Sequence, residues 1–156
     1  MNETFAKAVV MLKAEFMKRN ESTSHIYEVI PTLPESFSIN KHELEMLHKF
    51  AENNSIYSGS YEIKVLDTVC MVYHGDVNNY WLDSIKHDTS YAPFYPVWIL
   101  SAYALALESK SLGAKQIIDI GSGDGRIAYC AKLIGLQSFG IEIDENLVRL
   151  ENKISS

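Results

Sequence analysis

The residues best suited to chemistry sit in one stretch, Ile117-Ile118-Asp119-Ile120-Gly121-Ser122-Gly123-Asp124-Gly125-Arg126. Three glycines at alternate positions follow a short apolar run. A strand that turns sharply into a helix needs backbone angles that a β-carbon disfavours, and glycine supplies them. Missing side chains also let a ligand lie against the backbone, and the helix that follows points its unpaired amides at that ligand. Glu142 comes 17 positions after Gly125, at the end of the next apolar run. In a doubly wound sheet the ends of neighbouring strands open onto one crevice. A carboxylate there can accept two hydrogen bonds from a ribose diol. A glycine loop with a strand-end acid is therefore a nucleoside-binding arrangement.

The spacing bears on which nucleoside. The dinucleotide fingerprint is G-x-G-x-x-G. This chain has G-x-G-x-G, and Arg126 stands where the third dinucleotide glycine would be. Asp119 precedes the first glycine by two positions. A carboxylate is badly placed beside a pyrophosphate, because like charges repel. Beside the ammonium of a methionine moiety it is well placed. The pattern favours S-adenosylmethionine over NAD.

The elements that must position these residues follow from periodicity and punctuation. From 97 onward the order is helix (Val97 to Lys110, with Pro96 in its first turn and Gly113 as its stop), strand (116–120), helix (126–133), strand (138–143) and helix. Asp144 caps the last helix, which carries Leu147, Val148 and Leu150. The run 116–120 reads as a buried parallel strand, and the alternation as α/β. Upstream, Phe5, Val9, Leu12 and Phe16 fall on one face of a helix over 3–19, with Asn2 as its cap. Residues 26–38 contain Pro31 and Pro34 and read as extended chain and turns. Asn40 followed by Glu43 resembles a capping box that opens a helix ending near Asn53. Residues 60–74 read as one long strand or a hairpin, His74-Gly75-Asp76 as a turn, and 76–95 as an irregular connector or a short helix.

Composition narrows the class. The chain has 156 residues, 47% hydrophobic and 22% charged, which is ordinary globular material. Its net charge is −6, against the positive charge that nucleic-acid binding needs. Residues 1–95 carry 8 Lys+Arg and 13 Asp+Glu, so any macromolecular partner of that part is expected to be basic. Cys70 and Cys130 have no metal-ligand spacing and read as reduced thiols of a cytoplasmic protein. The five histidines show no metal pattern and read as structural or surface residues. The start, Met-Asn-Glu-Thr-Phe, lacks the features of a signal peptide. The longest apolar stretch, Pro93 to Leu107, is shorter than the roughly 20 residues of a membrane span.

Ile117 to Val148 resembles the first motif, following helix and second-strand acid of the seven-strand, Rossmann-like (class I) S-adenosylmethionine-dependent methyltransferases. Asp119-Ile-Gly-Ser-Gly-Asp-Gly-Arg126 fits their D/E-x-G-x-G-x-G pattern, and Phe139-Gly-Ile-Glu-Ile-Asp-Glu-Asn-Leu-Val148 their second strand and next helix. Tyr91-Ala-Pro-Phe-Tyr-Pro96 is similar to the segment before the first strand in non-SET protein-lysine methyltransferases. The resemblance implies roles. Asp119 would contact the methionine amino end. Gly121 and Gly123 would allow close approach of the cofactor, with Ser122 in the same loop. Gly125 would serve the packing of the following helix, Glu142 would hold the ribose hydroxyls, Ile143 would border the adenine, and Tyr91 would cover the methionine end. It also implies a fold: a truncated Rossmann-like core begins at residue 96, preceded by a small α+β region over 1–95.

The expected activity is methyl transfer to a nucleophile, most plausibly a protein side chain such as lysine. The family's remaining strands and acceptor-side motif do not follow, so the chain is expected to be a fragment, inactive as it stands. Two strands alone should leave unpaired edges and an apolar face open to self-association. The alternatives are a non-catalytic module that binds cofactor or partner and, against Asp119 and Arg126, an NAD-linked oxidoreductase. Asp119 could equally cap a helix. Asp124 reads as a cap, and Arg126 as a solvated or salt-bridged side chain. Tyr91, Phe94, Tyr95, Trp98 and Tyr103 read as packing residues before an acceptor pocket. The catalytic residue is not legible.

Overall fold

A computed structural model describes residues 3–20, 25–76 and 96–156. Helix α1 (Glu3–Arg19) leads to strand β1 (His25–Pro31), a 3-10 turn (Pro34–Ser36) and helix α2 (Lys41–Glu52). Strands β2 (Gly59–Val65) and β3 (Thr68–Asp76) follow. Then come α3 (Ile99–Ser111), β4 (Gln116–Ile120), α4 (Arg126–Leu133), β5 (Gln137–Ile141) and α5 (Glu145–Ser155). The described residues form a mixed α/β structure with two small sheets. One is antiparallel in the order β1-β3-β2, the other a parallel pair, β4-β5, joined by α4.

Local chemistry accounts for most of these elements. The face expected for α1 is the buried one: Phe5, Val9, Leu12 and Phe16 all lie in the core. Its expected cap, Asn2, and the connector 77–95 with Tyr91, Phe94 and Tyr95 lie outside the described residues. Asn40 caps α2, its side chain accepting from the amides of His42 (2.9 Å) and Glu43 (3.3 Å). Residues 60–74 are a hairpin, in which Val65 faces Thr68 and only Leu66 and Asp67 intervene. The turn expected at His74-Gly75-Asp76 is not there. Those residues belong to β3 and pair with Tyr27, Ile26 and His25 of β1. Gly75 serves packing: a β-carbon on it would stand 1.8 Å from the carbonyl oxygen of Ile56, so glycine lets the chain around Ile56 lie on the strand.

Helix α3 begins later than Pro96 and Val97 suggested. Trp98 is extended, with φ −60° and ψ 145°, and the first helical amide, at Ile99, donates to the carboxylate of Glu28 on β1. A strand residue thus fixes where the helix starts. Gly113 ends it as expected, with φ 91°, while Gly113 and Ala114 donate to the carbonyls of Lys110 and Ser109. The elements on either side of residue 95 share one hydrophobic core. Phe5 meets Tyr103 edge-on at 5.5 Å, Phe16 meets Trp98 at 5.9 Å, and Phe50 meets Tyr129 at 5.0 Å.

Among the described residues, the parallel pair is covered on one face only. Ile118 lies opposite Phe139, and Ile120 opposite Ile141. All four are exposed, Ile120 by 81%, and so is Ile143 beyond the strand. The expectation that 116–120 is a buried strand therefore fails. Helix α4 packs on the other face, where Ile117 contributes to the core. No described element lies over Ile118 and Ile120. The exposed apolar face expected of a two-strand sheet is present. Among the described residues no helix is long and apolar enough to cross a membrane.

Candidate functional site

The loop between β4 and α4 is shaped by its glycines. Gly121, Gly123 and Gly125 have φ of 79°, 59° and 80°, in the left-handed region that side chains disfavour. The amides of Gly121 and Ser122 both donate to the carbonyl of Ile141, at 2.7 and 3.0 Å, which ties the loop to the tip of β5. Gly125 donates to Ser122 at 2.9 Å, closing the turn before α4.

The glycines differ in what surrounds them. A β-carbon on Gly121 would meet nothing within 4 Å, so its surface is open. On Gly125 it would stand 2.5 Å from Glu151 Cγ, and on Gly140 it would stand 2.8 Å from Glu151 Oε1 and Ser122 Oγ. Gly125 therefore serves packing, but the element packed on it is α5 rather than the following helix α4. Glu151 is a site residue that the sequence reading missed. It accepts from Ser122 Oγ at 3.2 Å. Its spacing from Leu147, Leu150 and Ile154 gave no signal beyond a charged position on an amphipathic helix.

Glu142 stands one residue past β5. Its Oε2 accepts from the Gly123 amide at 2.7 Å, and its Oε1 accepts from Ile143 and Asp144 at 2.7 and 3.0 Å. Strand-end acid and glycine loop are thus in direct contact. Asp119, on β4, is half-buried, and Ile143 is exposed. Burial and then the charge of Glu142 push the Asp119 carboxyl above its ordinary range. Burial likewise raises Glu151, against the Ser122 hydrogen bond and with help from Asp124, Glu142 and Asp119. Asp119 and Glu142 thus stand near enough at the loop mouth for each to feel the other's charge. Asp144 caps α5, accepting from Asn146 at 2.8 Å and Leu147 at 3.4 Å.

Beneath the loop lies a buried ionic cluster. Arg126, 3% exposed, pairs with Asp124 at 2.5 Å and with Glu28 at 2.8 Å. Its guanidinium also donates to Tyr57 Oη at 3.2 Å and to the carbonyl of Val97. Tyr57 donates to Glu28 at 2.7 Å, and Asn54 to Asp124 at 2.9 Å. Burial raises the Glu28 carboxyl against the pull of Arg126. Burial works against the Arg126 charge, but Asp124, Tyr57 and Glu28 outweigh it and hold the pKa well above the ordinary value. Arg126 is salt-bridged, and Asp124 accepts from its own helix start, the Arg126 amide, at 3.4 Å.

A groove of about 460 Å³ runs between α2, α4 and α5, walled in part by Tyr129, Gly125, Gly140 and Glu151. It touches the loop at Gly125, while Asp119, Gly121, Gly123 and Glu142 are not among its walls. Both cysteines are free and buried; burial pushes Cys70 up to about 12 and Cys130 higher, so neither is a reactive thiolate. Among the described residues no group of His, Cys, Asp and Glu could hold a metal. The position assigned to Tyr91 lies outside the described residues.

No protein-family model matches the chain, and no curated protein or solved structure matches it. The likeness to methyltransferases rests on the residues of 117–148 themselves.

Proposed function

We propose that the loop and its acids bind S-adenosylmethionine, and that the chain is the cofactor-binding part of a Rossmann-like methyltransferase. One observation carries the reading. Three left-handed glycines after β4 stand in hydrogen-bond contact with the acid at the tip of the parallel neighbour β5, through the 2.7 Å bond from Gly123 to Glu142. The fit to this ligand has two parts. The open surface at Gly121 leaves space for a ligand to lie against the backbone. The carboxylates at the mouth, Asp119 and Glu142, suit a ligand with an ammonium and a sulfonium and repel a pyrophosphate.

Each residue then has a task. Glu142 already accepts three amide bonds, and a carboxylate has about four acceptor sites, so one remains for a single ribose hydroxyl rather than the two expected for the diol. Asp119 faces the amino end of the methionine moiety. Gly121 and Gly123 keep the contact surface free of side chains, and exposed Ile143 offers an apolar edge to the adenine. When bound, the cofactor supplies an electrophilic methyl group for in-line displacement. The protein's part is alignment and exclusion of water. The acceptor we propose is a basic protein side chain such as lysine, in keeping with the excess of acid over base in residues 1–95.

Calorimetric titration of S-adenosylmethionine, with NAD as control, into the chain and into Glu142→Ala tests the reading. Binding of the first ligand only, lost in the variant, is expected. A folded chain that prefers NAD, or binds neither, removes it.

A further inference from the structure

Arg126 sits in an unfavourable place for a cation. It opens α4, where the helix dipole favours negative charge, and it is almost wholly buried. What holds it there is a pair of carboxylates, each at the start of a helix. Asp124 precedes α4, and Glu28 accepts from the first amide of α3. Glu28 is itself fully buried in β1, 98 positions from Arg126 in the chain. Asp124 lies between Gly123 and Gly125, and it is gripped from two sides: by Arg126 Nε at 3.0 Å and Nη2 at 2.5 Å, and by Asn54 at 2.9 Å. The loop cannot change shape at Asp124 without breaking these bonds.

We propose that Glu28 and Arg126 are positioning residues for the glycine loop, through which the N-terminal sheet holds Gly123-Asp124-Gly125 in its ligand-binding shape. The proposal rests on the reading of the loop as a nucleoside site. It gives Glu28, Asn54 and Tyr57 a part in the cofactor site through their bonds within the cluster of Arg126 and Asp124. A buried pair that served stability alone would act on the whole fold. A positioning pair acts on the loop beyond its effect on the fold.

The test uses Glu28→Gln and the milder Tyr57→Phe, which removes the hydroxyl shared by Glu28 and Arg126 and leaves every charge in place. Amide exchange is read at Gly123 and Gly125, both hydrogen-bonded in the native loop, and in the β2–β3 hairpin, alongside the Kd for S-adenosylmethionine. Exchange about tenfold faster at the two glycines, unchanged in the hairpin, with a Kd about tenfold weaker in Glu28→Gln and less so in Tyr57→Phe, is expected. Uniform acceleration across the chain, or an unaffected loop, overturns the proposal, and so does a faster loop with an unchanged Kd. Should wild-type protein bind no S-adenosylmethionine, the nucleoside reading falls, while the contrast between loop and hairpin still decides whether the pair positions the loop. If Glu28→Gln does not fold, Tyr57→Phe decides alone.

Discussion

Gly121 and Gly125 have nearly the same backbone angle, φ 79° and 80°, and opposite surroundings. Alanine at Gly125 must bear the left-handed strain and also displace Glu151, so a loss of about 2 kcal/mol or more is expected in urea denaturation. Alanine at Gly121 bears the strain alone, about 1–2 kcal/mol, and the protein should stay folded but lose affinity for S-adenosylmethionine in calorimetry. Equal affinity in Gly121→Ala and wild type would place the ligand elsewhere. Glu151 gives a pH prediction. Its carboxyl is raised in the folded protein, so the native state holds the proton longer than the unfolded chain does and stability falls as pH rises from about 4.5, its ordinary value, through the folded value. Glu151→Gln, which can still accept from Ser122, removes that fall. Its thermal midpoint should match wild type at pH 3.5 and exceed it at pH 7; a constant difference across that range would show that Glu151 titrates normally. The glycines, Asp119 and Glu142 were legible because loop spacing and strand-end acids are local patterns. Glu28 carries a weaker local signal, a lone carboxylate in the apolar run Ile26-Tyr-Glu-Val-Ile30, and the cation that answers it lies 98 positions away.

At the scale of elements, what was legible depended on how far away the determining residue lies. Helix α2 was readable because Asn40 caps it from the adjacent position, and α4 because Gly125 and Gly135, both with positive φ, bracket it. The start of α3 was displaced because its first amide is satisfied by Glu28, 71 positions away. The hairpin turn was hidden by its residue types. Leu66 and Asp67 both have positive φ, 48° and 61°, at positions where Asn-Gly is the usual choice. Gly75, which looked like the turn, was glycine for close packing instead. The replacement Leu66→Asn with Asp67→Gly should therefore relieve strain and raise stability by about 1 kcal/mol. Little is lost in exchange, since Leu66 is exposed and the Lys64 to Asp67 ion pair lies at the surface. An unchanged or lowered denaturation midpoint would mean that Leu66 and Asp67 hold the turn by contacts stronger than the strain.

For the whole molecule the decisive feature is the open face of the parallel pair. Ile118, Ile120, Phe139 and Ile141 form one contiguous apolar surface, with Ile143 at its edge. Monomeric proteins rarely expose large contiguous patches of this kind, and among the described residues no further strand pairs with the outer edges of β4 and β5 beside it. The 156-residue chain is therefore expected to associate with itself as its concentration rises. Its net charge of −6 opposes that association through repulsion between copies. Added salt screens the repulsion and leaves the apolar attraction in place, so association should strengthen with ionic strength. Sedimentation at several concentrations and two salt levels measures this. The double variant Ile120→Lys, Phe139→Lys places charge in the middle of the face, where both side chains are mostly exposed, so it should stay folded and sediment as a monomer. Association that persists in the variant would locate the contact on another surface, and a wild-type chain that remains monomeric in high salt would mean that the face is too small to drive association.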